Sequence, residues 1–144
     1  MAGEGSHTDR YVESLMRQAN PRVLFIGHMS GEILEELFSN ASVFVLPSTV
    51  EGLSLSLLEA MGFGRCVVVS DIPENQEVVG KAGLLFRNRD SADLERVLRG
   101  ILGQPELIHE MGRRARELVL KEYDWEAITG ATETVYQTVL AKRR

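Results

Sequence analysis

Cysteine is nearly absent from this sequence: Cys66 is the only one among 144 residues. A disulfide framework is excluded, and a reducing compartment is compatible with a single thiol in an apolar run. Long hydrophobic stretches are missing too. No run approaches the ~18–20 apolar residues that span a bilayer, and no signal-peptide pattern is visible; the expected location is the cytoplasm. Positive charge is in deficit, with 16 Lys and Arg against 21 Asp and Glu and a net charge of -5. No broad basic surface invites nucleic acid. The terminal Lys142-Arg143-Arg144 reads as a solvated helix end that suits the helix dipole. No cluster of metal-ligating side chains is present, so no metal is expected.

What is present is the balance of a globular protein, 44% hydrophobic and 26% charged. The length suits one domain over residues 1–144, with a core that needs neither disulfide nor metal. Two patterns alternate along it. Val23-Leu24-Phe25-Ile26, Val43-Phe44-Val45-Leu46 and Val67-Val68-Val69 are short, apolar throughout and β-branched. They read as strands buried on both faces of a parallel sheet, with Gly83-Leu84-Leu85-Phe86 a weaker fourth. Helical stripes lie between and after them. These are Val12, Leu15, Met16 and Ala19 behind Thr8 or Asp9; Ile33, Leu34, Leu37, Phe38 and Ala41 behind Ser30; and Leu57, Leu58 and Met61, ended by Gly62 or Gly64. A short turn is expected from Asn75 to Val79. Leu94, Val97, Leu98, Ile101 and Leu102 follow Asp90-Ser91. Leu107, Ile108, Met111, Ala115, Leu118 and Val119 follow Pro105. Ile128, Ala131, Val135, Val139 and Leu140 follow Asp124. The alternation predicts an α/β fold, a Rossmann-like doubly wound parallel sheet. Ligands of such sheets bind beyond the carboxyl ends of the strands. That rule selects the loops at residues 27–30, 47–54 and 70–74.

The loop after Leu46 carries most chemistry. Pro47 has no N–H for a ladder and ends the strand. Gly52 lets the backbone turn tightly and approach a ligand. The amides near Leu53, Ser54 and Leu55 start a helix and lack intrahelical partners, a setting that attracts phosphate. Glu51 stands just before that terminus and Glu59 about one turn inside it. Carboxylates only accept hydrogen bonds, which suits sugar hydroxyls. On spacing alone a plainer reading competes. Ser56-Leu57-Leu58-Glu59 is also a capping box, and Glu51 an exposed loop acid.

Glu51 and Glu59, seven residues apart, lie within Pro47-Ser48-Thr49-Val50-Glu51-Gly52 and Leu58-Glu59-Ala60-Met61. This resembles the E-x7-E signature of the retaining glycosyltransferases of family 4 (group 1), which have the GT-B fold. Val23-Leu24-Phe25-Ile26-Gly27, Gly64-Arg65-Cys66-Val67-Val68-Val69-Ser70-Asp71, the run from Asp71 to Val79, Ala82-Gly83-Leu84-Leu85-Phe86 and Tyr123-Asp124-Trp125 resemble further family segments, in order. The resemblance implies the C-terminal, donor-binding lobe and a UDP- or GDP-sugar as substrate, with no cofactor. Glu51 would hold donor-sugar hydroxyls, and Glu59 the ribose. Amides of Gly52, Leu53 and Ser54 would approach the diphosphate. Gly27, His28 and Met29 would border the base, His28 not acting as catalytic base. Cys66 stands where the family often has proline, and is expected to be a buried structural thiol.

The resemblance also implies missing parts. The acceptor lobe and the first strands of the donor lobe have no counterpart, and Ala2-Gly3-Glu4-Gly5-Ser6 resembles the end of the second strand. The Arg and Lys that neutralise the diphosphate go with them. The chain alone is therefore expected to have no turnover. A partner supplying the other lobe, or a homodimer through unpaired sheet edges, is expected to compensate. A non-catalytic nucleotide- or partner-binding module and a ligand-free folding fragment are the alternative readings.

Overall fold

The computed structural model describes residues 9–142. The glycine-rich segment at residues 2–6, the Thr8 cap and Arg143-Arg144 fall outside them. Two compact units are present, residues 1–37 and 38–144.

In the first unit, α1 (Asp9–Gln18) ends in a basic turn with Arg17, which suits the helix dipole. The run at residues 23–26 is not a strand, contrary to the sequence expectation. Val23 and Leu24 are 40% and 68% exposed, and only Gly27 forms a bridge. A four-residue apolar run becomes a strand only beside a ladder that accepts and donates along its length. No such ladder forms here among the described residues. The next helix, α2 (Gly31–Asn40), begins in this unit just after Ser30.

The second unit holds the sheet. The strands β1 (Val43–Leu46), β2 (Cys66–Ser70) and β3 (Leu84–Phe86) are all parallel, in the order β1-β2-β3. The fold is thus mixed α/β around a three-stranded parallel sheet, as the apolar runs predict. All five residues of β2 are buried, so both faces of the sheet are covered there. Three helices pack against β2: α3 (Leu55–Gly62), α4 (Pro73–Val79) and α6 (Pro105–Glu122). The helix α5 (Ser91–Leu102) packs on β3 and α6. Its first turn is closed by Asp90, whose carboxylate accepts from the Asp93 amide at 2.9 Å.

The carboxyl end of α3 leads directly into the central strand. Gly64 has φ +68°, its amide reaches the Met61 carbonyl, and the Arg65 amide reaches Ala60. This pair of bonds, with a left-handed glycine one residue past the cap, is a Schellman stop. It hands the chain straight into β2. At Gly112 a Cβ would stand 2.1 Å from the Gly64 carbonyl oxygen. Only glycine lets α6 cross the start of β2 this closely. Phe38 stacks on Phe63 at 5.5 Å and packs against Phe44 at 5.9 Å.

The last helix, α7 (Trp125–Ala141), is capped by Asp124, whose carboxylate accepts from the Ala127 amide. The sequence predicts this helix and an apolar stripe along it. The stripe exists, yet every residue of α7 is exposed, with Val135 at 59% and Leu140 at 65%. No described helix is long and apolar enough to cross a membrane.

Candidate functional site

Of the expected site residues of the second unit, Glu51, Gly52, Leu53 and Ser54 lie between the end of β1 and the start of α3, and Glu59 lies within α3. Backbone pairing runs from Val43 opposite Cys66 to Leu46 opposite Val69 and stops at Pro47, which has no N–H to give. Glu51 follows in the loop, half-buried, and accepts a 2.6 Å hydrogen bond from the Ser48 hydroxyl. It is therefore a held carboxylate, not a loose loop acid.

The helix α3 then starts at Leu55, with Ser54 as N-cap. Ser54 makes no side-chain cap bond, and the first helical bond runs from the Leu58 amide to the Ser54 carbonyl at 3.2 Å. The amides of Leu55, Ser56 and Leu57 precede that bond and have no intrahelical acceptor. The anion-attracting end of the helix thus lies one or two residues beyond Gly52, Leu53 and Ser54. Gly52 does not have a positive φ, and a Cβ there would meet nothing within 4 Å. The turn itself does not require glycine; the position is open.

The capping-box alternative for Glu59 does not hold. Ser56 is the second helical residue, not the cap, so Glu59 has no Ser56 N-cap to reach back to. Glu59 is exposed, and its carboxylate makes no hydrogen bond or ion pair among the described residues. It lines a groove of about 490 Å³ with Leu53, Leu55, Leu58, Tyr123 and Trp125. Glu51 is not among the groove's lining residues. Burial, and then the negative charges of Glu77 and Glu122, raise the Tyr123 phenol above its usual value. It stays protonated and can donate.

Sequence reasoning misses several of these partners. Ser48 lies three residues before the E-x7-E pattern, which gives it no role. The Ser70 hydroxyl and the Asn75 amide lie behind Ser48, and no spacing rule links them to it. Tyr123 and Trp125 carry only a helix-start signal in the sequence. Gly27, His28 and Met29 belong to the first unit: Gly27 has φ +69°, His28 is exposed and Met29 half-buried.

A second cavity, of about 370 Å³, opens at the amino ends of β1 and β2 and is lined by Arg65, Cys66 and His109 among others. Cys66 is 1% exposed, and burial pushes its thiol up to about 11. That is the buried thiol the sequence suggests.

The family described as glycosyl transferases group 1 matches residues 1–104. This chain belongs to that family. Among its relatives, a glycogen synthase of Mycobacterium tuberculosis is 33% identical over 146 residues, covering 99% of this chain and 35% of that protein. Among solved structures, a sucrose-phosphate synthase from Thermosynechococcus elongatus superposes with a TM-score of 0.84 at 31% identity, over 92% of this chain and 34% of the other. Anabaena HepE in complex with UDP-glucose gives a TM-score of 0.81 over 97% of this chain and 40% of that one; at 19% identity it shows the fold alone. The fold is that of GT-B glycosyltransferases, and this group 1 chain spans about a third of the length of the relatives it matches.

Proposed function

We propose that this chain is the nucleotide-sugar-binding part of a retaining glycosyltransferase that moves a hexosyl group from a UDP- or GDP-sugar to an acceptor. The observation that carries the reading is the Glu51 carboxylate, held by Ser48 at the carboxyl ends of the strands, ahead of a helix terminus with no side-chain cap. Groups of the second unit can then meet the sugar, diphosphate and ribose of a nucleotide sugar. Glu51 keeps acceptor capacity for hydroxyls of the donor sugar. The amides of Gly52, Leu53 and Ser54, continuing into the first turn of α3, face the diphosphate, and the positive end of the helix takes up charge as it leaves. Glu59, with no partner among the described residues, takes the ribose hydroxyls. For the first unit, taken by itself, the family resemblance gives the base to Gly27, His28 and Met29. No metal takes part. HepE, whose fold this chain shares, was crystallised with UDP-glucose, which supports a nucleotide sugar as the ligand class.

In this reading the 144-residue chain alone has no turnover. Sugar transfer by the purified chain would refute that. Edge strand β1, paired only with β2 among the described residues, is the surface through which a homodimer would form. Light scattering that gives a monomer at high concentration would exclude it.

The binding test is calorimetry of the chain with UDP, GDP, UDP-glucose and a GDP-hexose. Binding of at least one nucleotide is expected. Glu59→Ala should weaken nucleotide and nucleotide sugar alike, by about tenfold for loss of a hydrogen bond to a charged group. Glu51→Ala should weaken only the sugar-bearing ligand. No binding at millimolar concentration would overturn the reading.

A further inference from the structure

Behind Glu51 stands a chain of hydrogen bonds that the E-x7-E pattern does not contain. The β1–β2 ladder stops at Leu46 opposite Val69, because Pro47 has no N–H. At that gap the Ser70 hydroxyl donates to the Ser48 carbonyl oxygen at 2.5 Å. A side chain thus ties the strand ends where the backbone no longer does. Ser70 is 0% exposed and Asn75 is 1% exposed, so each needs a protein partner for its polar atoms.

The direction of the chain follows from donor and acceptor chemistry. Asn75, in the first turn of α4, lies 3.2 Å from the Ser70 carbonyl oxygen and 3.0 Å from its hydroxyl. A carbonyl oxygen only accepts, so the facing Asn75 atom is its amide nitrogen, which only donates. The Ser70 oxygen therefore accepts from Asn75, and its single proton goes to Ser48. A different group of Ser48, its hydroxyl, gives its proton to Glu51 Oε1 at 2.6 Å, so the two bonds are joined through the covalent frame of Ser48. The order is Asn75 to Ser70 to Ser48 to Glu51, from a fully buried amide to a half-buried carboxylate.

We propose that Asn75, Ser70 and Ser48 are positioning residues that hold the Glu51 carboxylate, and through it set the chain's preference for a sugar-bearing nucleotide over the bare nucleotide. The proposal rests on the reading of Glu51 as the donor-sugar carboxylate. One oxygen of Glu51 is engaged by Ser48; the other is presented with its direction fixed. A carboxylate on a free loop loses side-chain entropy on binding; a held one does not. These bonds reach Glu51 directly and the diphosphate amides only through the loop, so their loss should weaken a sugar-bearing nucleotide more than bare UDP.

The test has two readouts on the 144-residue chain. The first is the backbone order of residues 48–54, from NMR relaxation without ligand. Ser48→Ala, Ser70→Ala and Asn75→Ala should each lower it, from about 0.85 for rigid backbone toward about 0.6 or below. Ser48→Thr keeps the hydroxyl and should restore it. Unchanged loop order in folded Ser70→Ala overturns the proposal. If Asn75→Ala does not fold, the two serine variants still decide. The second readout is the ratio of UDP-glucose to UDP affinity by calorimetry. It should fall in each alanine variant, with UDP binding losing less than UDP-glucose binding. An equal fall for both ligands points to general destabilisation and overturns the proposal. If Glu51→Ala itself leaves the ratio unchanged, the donor-sugar role of Glu51 fails, while loop order continues to judge the hydrogen bonds separately.

Discussion

At the scale of the residue, burial decides the chemistry of Cys66. Its neighbours in the core are Ile101 and Met111, and the thiol is held protonated up to about pH 11. Alkylation by iodoacetamide at neutral pH should therefore proceed only through unfolding, and a rapid reaction of the native chain would contradict this placement. The folded value lies above the unfolded one of 9.0. The contribution to stability is thus complete below the unfolded value and is lost as pH rises toward the folded one. In urea titrations, the advantage of the native chain over Cys66→Ala should shrink between about pH 9 and about pH 11. Glu51 was legible in the sequence because its motif is local. Ser70 and Asn75 were not, because their link to it depends on which strand lies beside which.

Capping and crossing govern the element scale. Asp90 and Asp124 close the first turns of α5 and α7 in the same way, yet their replacement should differ in effect. Asp90→Ala should lower global stability by about 1 kcal/mol, because α5 contributes the fully buried Ile101. Asp124→Ala should reduce helicity in circular dichroism with little change in the urea midpoint, since α7 buries no residue. A matching loss of global stability would show that α7 is coupled to the core. Gly112→Ala should destabilise by about 1–3 kcal/mol or more, the usual cost of overpacking. Its Cβ would collide with the Gly64 backbone, which cannot rotate away. Surface pairs matter less. Glu110 is lowered to about 2, first by the hydrogen bond from Arg113 and then by that from Arg114, but the group is open to solvent and screening limits its effect.

For the whole molecule, the exposed α7 is the feature to test. Trp125, the sole tryptophan, is 75% exposed. Its fluorescence should be fully quenched by acrylamide in the isolated chain. Protection that rises with concentration would show a second copy covering the helix. The sequence by itself determined the parallel strands β1, β2 and β3 and the helices around them, because apolar period and caps act locally. It also determined family membership, through ordered motifs. Tertiary structure decided the rest. The run at residues 23–26 has every mark of a buried strand, but strand formation needs a neighbouring ladder, and propensity cannot supply one. The stripe of α7 has the period of a buried face, but burial needs a covering surface. Glu51 and Glu59 look equivalent in the E-x7-E motif. Packing made one a held carboxylate behind Ser48 and left the other without a partner among the described residues, in a largely apolar groove, because hydrogen-bond partners are set by spatial neighbours and not by spacing.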